Sequence, residues 1–253
     1  MSKDIIFGIH SIEAALENKM RSDFVLYCTD KGLSEFKSKI NRHDLLERVK
    51  LINLNPHQLQ EQAKTLCQES DFQFQRVPSQ IFLSCSELPL KDLSYIWGLN
   101  QKQTNLRFIC LDQVTDTANA AAILRTSSFY NVDALLISQK GSFGLGPSFY
   151  RIASGATEHV PIIKISNLSS ALNKIQEKGI ACVGLSEHAS DSNIIKDGPK
   201  KICLVLGSEE NGISHAVKRI LNQMIGLESQ GVIKSLNVSV AAAVAMEKFF
   251  GGK

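Results

Sequence analysis

Lys201 to Ser214 reads KICLVLGSEENGIS. The apolar run Ile202 to Leu206, with lysines before it and Gly207 after it, has the composition of a strand buried on both faces of a parallel sheet. Gly207 and Gly212 bracket Ser208, Glu209, Glu210 and Asn211, and Ile213, Ala216, Val217, Ile220 and Leu221 follow at helical spacing. The segment is therefore expected to be a strand, a tight turn and a helix. Open α/β sheets put their ligands at the carboxyl ends of such strands. Taken alone, the turn requires no function: glycines would serve its geometry and carboxylates would face solvent.

Working outward, the second half of the chain repeats this alternation. Strands are expected at Leu106 to Leu111, Asp133 to Ser138, Val160 to Ile163, Ile180 to Leu185 and Gln223 to Leu227, with helices at Ala120 to Phe129, Ser148 to Ala156, Asn167 to Lys178 and Ser235 to Phe250. Two of these helices are rich in alanine, so their backbones can approach a neighbour closely. GSFGLG within Gln139 to Pro147 invites a dinucleotide reading, but its glycines miss the G-x-G-x-x-G spacing, and a flexible loop over a substrate is expected instead. The first 80 residues also alternate: a helix over Ile9 to Leu16, a strand over Phe24 to Cys28, a helix over Phe36 to Val49, a strand over Leu51 to Leu54, and a helix opened by Asn55-Pro56. This order predicts a small three-layer α/β domain over 1–80, a linker over 81–104 where Pro78, Pro89 and the polar run 100–105 loosen the pattern, and a second domain over 105–253.

A chain of 253 residues with 43% hydrophobic and 21% charged residues is expected to be globular. The first twenty residues interrupt their apolar positions with Lys3, Asp4, His10, Glu13 and Glu17, and no apolar run reaches the roughly 20 residues of a membrane span. A cytoplasmic, unanchored protein is expected. Six scattered cysteines without a CxxC pair suit buried, reduced thiols, and no metal site is expected. Residues 1–100 carry 12 Lys+Arg against 13 Asp+Glu, and residues 101–253 carry 16 against 12, so a polyanionic partner is favoured at the second half. In the first half Lys31, Lys37, Lys39, Arg42, Arg48 and Lys50 could contact RNA phosphates or simply form a solvated helix face.

Four motifs then appear in order. Asp116, Asn119, Ala122 and Arg125 fit D-x-x-N-x-G-A-x-x-R except for Ala121 at the glycine; Arg151 to Pro161 reads RIASGATEHVP; Leu206 to Gly212 fits L-G-S-E-x-x-G; and Ser235 to Ala241 reads SLNVSVA. Together these resemble the SpoU (TrmH) family of RNA ribose 2'-O-methyltransferases, within the SPOUT superfamily. The opening FGIHSIEAAL, Phe7 to Leu16, resembles the subfamily that modifies a guanosine of large-subunit ribosomal RNA, in which a small L7Ae/L30e-like substrate-binding domain comes first. Gly226 stands where the family has a Pro after Ile225, the interval from Ile225 to Ser235 is two residues longer, and the H-Q-G signature is missing around Asp71 to Val77.

The resemblance implies a parallel-sheet methyltransferase domain with a deep trefoil knot, S-adenosylmethionine as cofactor, an RNA partner, and a homodimer whose site is completed across the interface. It implies catalytic roles for Asn119, Arg125, Glu209, Ser235 and Asn237, and cofactor binding by Leu206, Gly207, Ile225, Leu227, Ser235 and Leu236. The implied reaction is methyl transfer to a ribose 2'-hydroxyl. Arginine holds its proton with a pKa above about 12, so Arg125 is better suited to clamp a phosphate and the developing oxyanion than to act as base. Bland roles stand beside these: a helix cap for Asn119, a turn residue for Asn237, an exposed turn carboxylate for Glu209 and a structural histidine for His159. A tRNA target, a catalytically inactive RNA-binding relative and, more distantly, a nucleotide-dependent oxidoreductase remain as alternatives.

Overall fold

The computed structural model describes residues 3–139, 143–186, 189, 199–227, 229–233 and 235–251. The chain divides into two compact units: residues up to Pro89 with Gly144–His159, and Leu90–Phe143 with the residues from Val160 onward.

The first unit contains β1 (Lys3–Phe7), α1 (Ile9–Glu17), β2 (Val25–Cys28), α2 (Asp30–Lys39), a 3-10 segment (His43–Arg48), β3 (Lys50–Asn53), α3 (Pro56–Glu69) and β4 (Ile81–Ser86). Its sheet has the order β1-β4-β2-β3, with β4 antiparallel to both neighbours and β2 parallel to β3. Alternation along the strands separates two cores. Ile6, Leu26, Leu83 and Cys85 pack with Ile12 and Leu16 of α1 and Phe36 of α2, while Ile5, Phe7 and Phe82 pack with Leu59, Ala63 and Cys67 of α3. Helix layers on both faces match the expected three-layer arrangement. Asn55 starts α3 through a full capping box with Gln58, and Pro56 takes the first helical turn.

Two expectations fail here. The helix predicted over Phe36 to Val49 instead starts at Asp30, where the Thr29 hydroxyl accepts the Gly32 N–H at 3.0 Å, and it stops at Lys39. A side-chain cap fixes a helix start more firmly than apolar spacing does. The stretch 81–104 is not a linker. Its first residues, IFLSCS, form the inner strand β4, delivered by a 3-10 turn at Pro78–Gln80, and Leu93–Lys102 forms α4 behind the Asp92 cap. The flanking prolines read as punctuation, and β4 is only six residues long and buried along nearly its whole length, Ser84 included, so its sequence pattern was too short to betray it.

Gly144–His159 contributes α6 (Pro147–Ala153) and a 3-10 turn (Ala156–Glu158) to the first unit. Arg21, 2% exposed, holds this segment in place. Its Nη1 donates to Asp4 Oδ2 at 2.7 Å and to the Ser86 carbonyl at 2.7 Å; its Nη2 and Nε donate to the two Glu158 oxygens at 2.8 and 2.9 Å. Burial opposes the charge on Arg21, but the hydrogen bonds it donates to Glu158 and Asp4 hold its pKa above the ordinary arginine value. Of the predicted loop Gln139 to Pro147, residues 140–142 lie outside the described residues.

The second unit carries α4, β5 (Leu106–Asp112), α5 (Thr117–Phe129), β6 (Ala134–Ser138), β7 (Ile162–Ile165), α7 (Leu168–Glu177), β8 (Ala181–Leu185), β9 (Lys201–Gly207), α8 (His215–Lys218), β10 (Gln223–Ile225) and α9 (Val238–Phe250). All six strands are parallel, in the order β10-β8-β9-β5-β6-β7. One face, including Phe108, Cys110, Leu136, Cys182, Cys203 and Val205, is covered by α4, α7 and α8. Residues of opposite parity, including Ile109, Leu135 and Leu204, are also buried, so the strands read as continuous apolar runs. Helix α9 packs against α5 and β9. Among the described residues, no helix is long and apolar enough to cross a membrane, and all six cysteines are free and buried.

Candidate active site at the carboxyl edge of the second sheet

From β5 the chain builds β6 and β7 to one side; β8, β9 and β10 are added on the other. Strands β5 and β9 are therefore neighbours at the point where the winding direction changes, and their carboxyl ends flank the crevice such sheets use for ligands. Asp112 ends β5 level with Gly207 at the end of β9. Everything assembled here follows one of those two ends, except the start of α9.

After β9 the chain turns back on itself. Ser208 and Gly212 exchange main-chain hydrogen bonds at 3.1 and 2.9 Å, and Ser208 Oγ accepts the Asn211 N–H at 3.2 Å. A Cβ on Gly207 would lie 2.0 Å from the Gly212 carbonyl carbon and 2.2 Å from the Ile213 nitrogen, so only glycine fits. Gly212 itself has φ +63°. Buried Asp112 anchors the far side of the turn by accepting the Ser214 N–H at 2.7 Å. The turn is thereby rigid, and Glu209 projects from its crest.

Two helix starts converge on that carboxylate. Asp116 caps α5 by accepting the Asn119 N–H at 2.7 Å, and Asn237 caps α9 by accepting the Ser239 N–H at 2.9 Å. Glu209 Oε1 then accepts three N–H groups: Asn119 Nδ2 at 2.9 Å, Asn237 Nδ2 at 2.6 Å and the Val238 main chain at 3.4 Å. Asn237 Nδ2 also reaches Asn119 Oδ1 at 3.0 Å. The positive ends of two 13-residue helices favour a negative charge at this spot. One carboxylate oxygen is saturated. The other, Oε2, has no protein partner among the described residues.

Three of the five residues expected to be catalytic are thus in direct contact. Arg125 and Ser235 are not part of this cluster. Six residues along α5 place Arg125 about 120° around the helix from Asn119, so the two side chains leave on different faces, and Arg125 is exposed. Ser235 lies exposed just before α9. The helix-cap role expected for Asn119 falls instead to Asp116, with Asn119 inside the first turn of α5, whereas Asn237 is itself the cap of α9 and combines that role with the Glu209 contact.

Of the residues expected to hold the cofactor, Leu206 and Ile225 are buried at the carboxyl ends of β9 and β10. Register through β8 puts Ile225 beside Leu185, and Gly184 beside Val205, so Ile225, Leu185 and Leu206 form one level row. Leu227 and Leu236 have main-chain groups without hydrogen-bond partners among the described residues, and the Leu236 side chain is 52% exposed. Free peptide edges beside apolar side chains suit an adenine, whose edge is polar and whose faces are not. The altered residue Gly226 is explained locally: a Cβ there would lie 2.3 Å from the Ala189 carbonyl oxygen. Ala121, in place of the motif glycine, is fully buried and its methyl group is accommodated within the packing of α5.

Sequence reasoning passed over Asp112 and Ser214, which hold the turn from below, and gave no role to Ser239. The signal for Asp112 was present as a single carboxylate ending an apolar run.

Residues 107–247 match the SpoU rRNA Methylase family. The chain belongs to that family. A 23S rRNA (guanosine-2'-O-)-methyltransferase of Haemophilus ducreyi is 29% identical over 245 residues, covering 95% of this chain and 94% of that one. A protein of Bacillus subtilis named for the TrmH family of tRNA/rRNA methyltransferases is 32% identical over 143 residues, 56% of this chain and 57% of that one. The crystal structure of the SpoU methyltransferase AviRb of Streptomyces viridochromogenes, solved with AdoMet, superposes with a TM-score of 0.75 at 18% identity, covering 98% of this chain and 89% of that one. The likeness of fold thus extends through both units, while the family match covers most of the second and, of the first, Gly144–His159.

Proposed function

We propose that this SpoU chain transfers a methyl group from S-adenosylmethionine to the ribose 2'-hydroxyl of a guanosine in large-subunit ribosomal RNA. The observation that carries the proposal is the Asn119–Glu209–Asn237 contact at the β5/β9 switch point, built from the two family motifs and the turn between them. Near-full-length similarity to a 23S rRNA guanosine methyltransferase supports the choice of RNA.

The cofactor, held by Leu206, Gly207, Ile225, Leu227, Ser235 and Leu236, supplies an electrophilic methyl group on a sulfonium centre. The protein has mainly to position and polarise the nucleophile. Glu209 Oε2 accepts a hydrogen bond from the 2'-hydroxyl, aims its lone pairs and takes its proton as the oxygen is methylated, while Asn119 and Asn237 keep the carboxylate from turning. Arg125 clamps the adjoining phosphate and stabilises charge developing on the ribose oxygen.

Because Arg125 points away from the cluster of its own chain, it acts in a homodimer, at the site of the second copy. Exposed apolar residues on the same two helices, Phe129 (82%) on α5 and Val240 (47%) on α9, support that assembly. The return of α9 to β9 and α5, after β10 has been added outside β8, supports a trefoil-knotted path. A four-stranded sheet between helix layers supports an L7Ae/L30e-like, substrate-binding role for the first unit. Cytoplasmic localisation follows from the substrate.

Mapping ribose methylation across ribosomal and transfer RNA in cells with and without the gene tests the function. Loss of one 2'-O-methylguanosine in the large-subunit RNA is expected. Loss confined to tRNA, or no loss, contradicts the proposal.

A further inference from the structure

Asn237 Oδ1 accepts two hydrogen bonds from one residue, the Ser239 N–H at 2.9 Å and the Ser239 hydroxyl at 2.6 Å. Capping α9 requires only the first of these. The hydroxyl is therefore surplus to the helix and has another consequence. The two ends of an asparagine amide are similar in size and opposite in hydrogen-bonding sense. With both Ser239 donors at Oδ1, only Nδ2 is left to face Glu209 Oε1 at 2.6 Å and Asn119 Oδ1 at 3.0 Å. The reversed amide would set oxygen against the Glu209 carboxylate and the Asn119 carbonyl, and NH2 against the Ser239 N–H.

Taking the methyl transfer proposed above as the setting, we propose that Ser239 is a positioning residue. It fixes the orientation of the Asn237 amide, which fixes the Glu209 carboxylate and leaves Oε2 as the single acceptor offered to the ribose hydroxyl. Ser239 touches neither reactant. Its effect passes through Asn237 and Glu209 alone.

Ser239→Ala removes the hydroxyl and keeps the N–H, so the fold and the cap survive. Loss of one hydrogen bond of ordinary net strength corresponds to a fall in kcat of about 3- to 10-fold; KM for RNA and Kd for S-adenosylmethionine stay at wild-type values, and Ser239→Thr restores the rate. In a Glu209→Ala background, Ser239→Ala adds no further loss. A second readout needs no catalysis: in protein labelled with 15N-asparagine, the Asn237 side-chain amide, assigned by its disappearance in Asn237→Ala, exchanges its protons faster in Ser239→Ala and not in Ser239→Thr. Unchanged kcat, unchanged exchange, or losses that multiply in the double variant would each overturn the role. If the wild-type protein methylates no RNA, the functional proposal fails, and the exchange rates still decide whether Ser239 orients the amide.

Discussion

Asn237 Nδ2 lies 2.6 Å from Glu209 Oε1, 28 positions earlier in the chain, and the same oxygen takes the Asn119 side chain 90 positions upstream of it. Three motifs separated in sequence thus share one acceptor atom. Removing that atom leaves two amides and a main-chain N–H without their partner. Glu209→Ala is expected to lower single-turnover methyl transfer by about 10²-fold or more, the scale of losing a polarising group at a reacting centre. Thermal stability should change little, because the residue is exposed. Retention of the wild-type rate would remove Glu209 from the mechanism.

Arg125 has no partner within its own chain among the described residues, so its replacement leaves no buried gap. Arg125→Ala should unfold at the wild-type temperature, measured by circular dichroism, while methyl transfer falls by about 10²-fold or more. In mixtures with a Glu209→Ala variant, hybrid dimers should regain one working site of two. A mixture as inactive as its components would argue against a site shared between copies.

Gly207 has no room for a methyl group. The nearest atoms, at 2.0 and 2.2 Å, are main chain and cannot swing aside as a side chain would. Gly207→Ala should cost about 1–3 kcal/mol of unfolding free energy in urea titration through overpacking, and the displaced turn should take Glu209 with it, lowering activity. Gly98, whose added Cβ meets nothing within 4 Å, is the control and should remain near wild type in activity.

Arg21 is buried between Asp4 and Glu158, at 2.7 and 2.8 Å. Removing the cation leaves two carboxylates in the interior. Arg21→Met should destabilise the protein by about 3–5 kcal/mol, the cost of breaking a buried pair. A fragment ending at residue 80 would lack β4 and the Glu158 partner. It should show no cooperative unfolding transition, and a sharp one would contradict the division into units described above.

Burial pushes the Cys85 thiol up to about 12, the nearby Arg21 pulling in the opposite direction. The folded thiol keeps its proton while an unfolded one releases it near pH 9. This contribution to stability is complete below about pH 9 and is lost as pH rises from there toward 12. Cys85→Ser or Cys85→Ala should flatten the alkaline limb of the stability profile, and an unaltered limb would show that this thiol does not contribute to it.

Much of the second unit could be read from its residues, because parallel strands buried on both faces announce themselves as apolar runs and the turn glycines mark where they stop. Lys201–Gly207 is the clearest case. Asn119, Glu209 and Asn237 could be nominated from motifs, but their meeting at one oxygen could not, since it depends on β9 lying between β8 and β5, a strand much earlier in the chain. Strand β4 was missed because its six residues, Ile81–Ser86, are too few to establish a period and sit between prolines. The course of 144–159 was missed for a different reason: nothing local reveals that Glu158 completes an ion pair with Arg21, 137 residues away.

The most direct test of the central claim is a crystal structure of the protein with S-adenosylmethionine. The adenosine should rest against Leu206, Ile225, Leu227 and Leu236, with the sulfonium methyl facing the space beside Glu209 Oε2. A donor bound elsewhere, or a carboxyl edge of β9 and β10 that stays empty at saturating donor, would contradict the account.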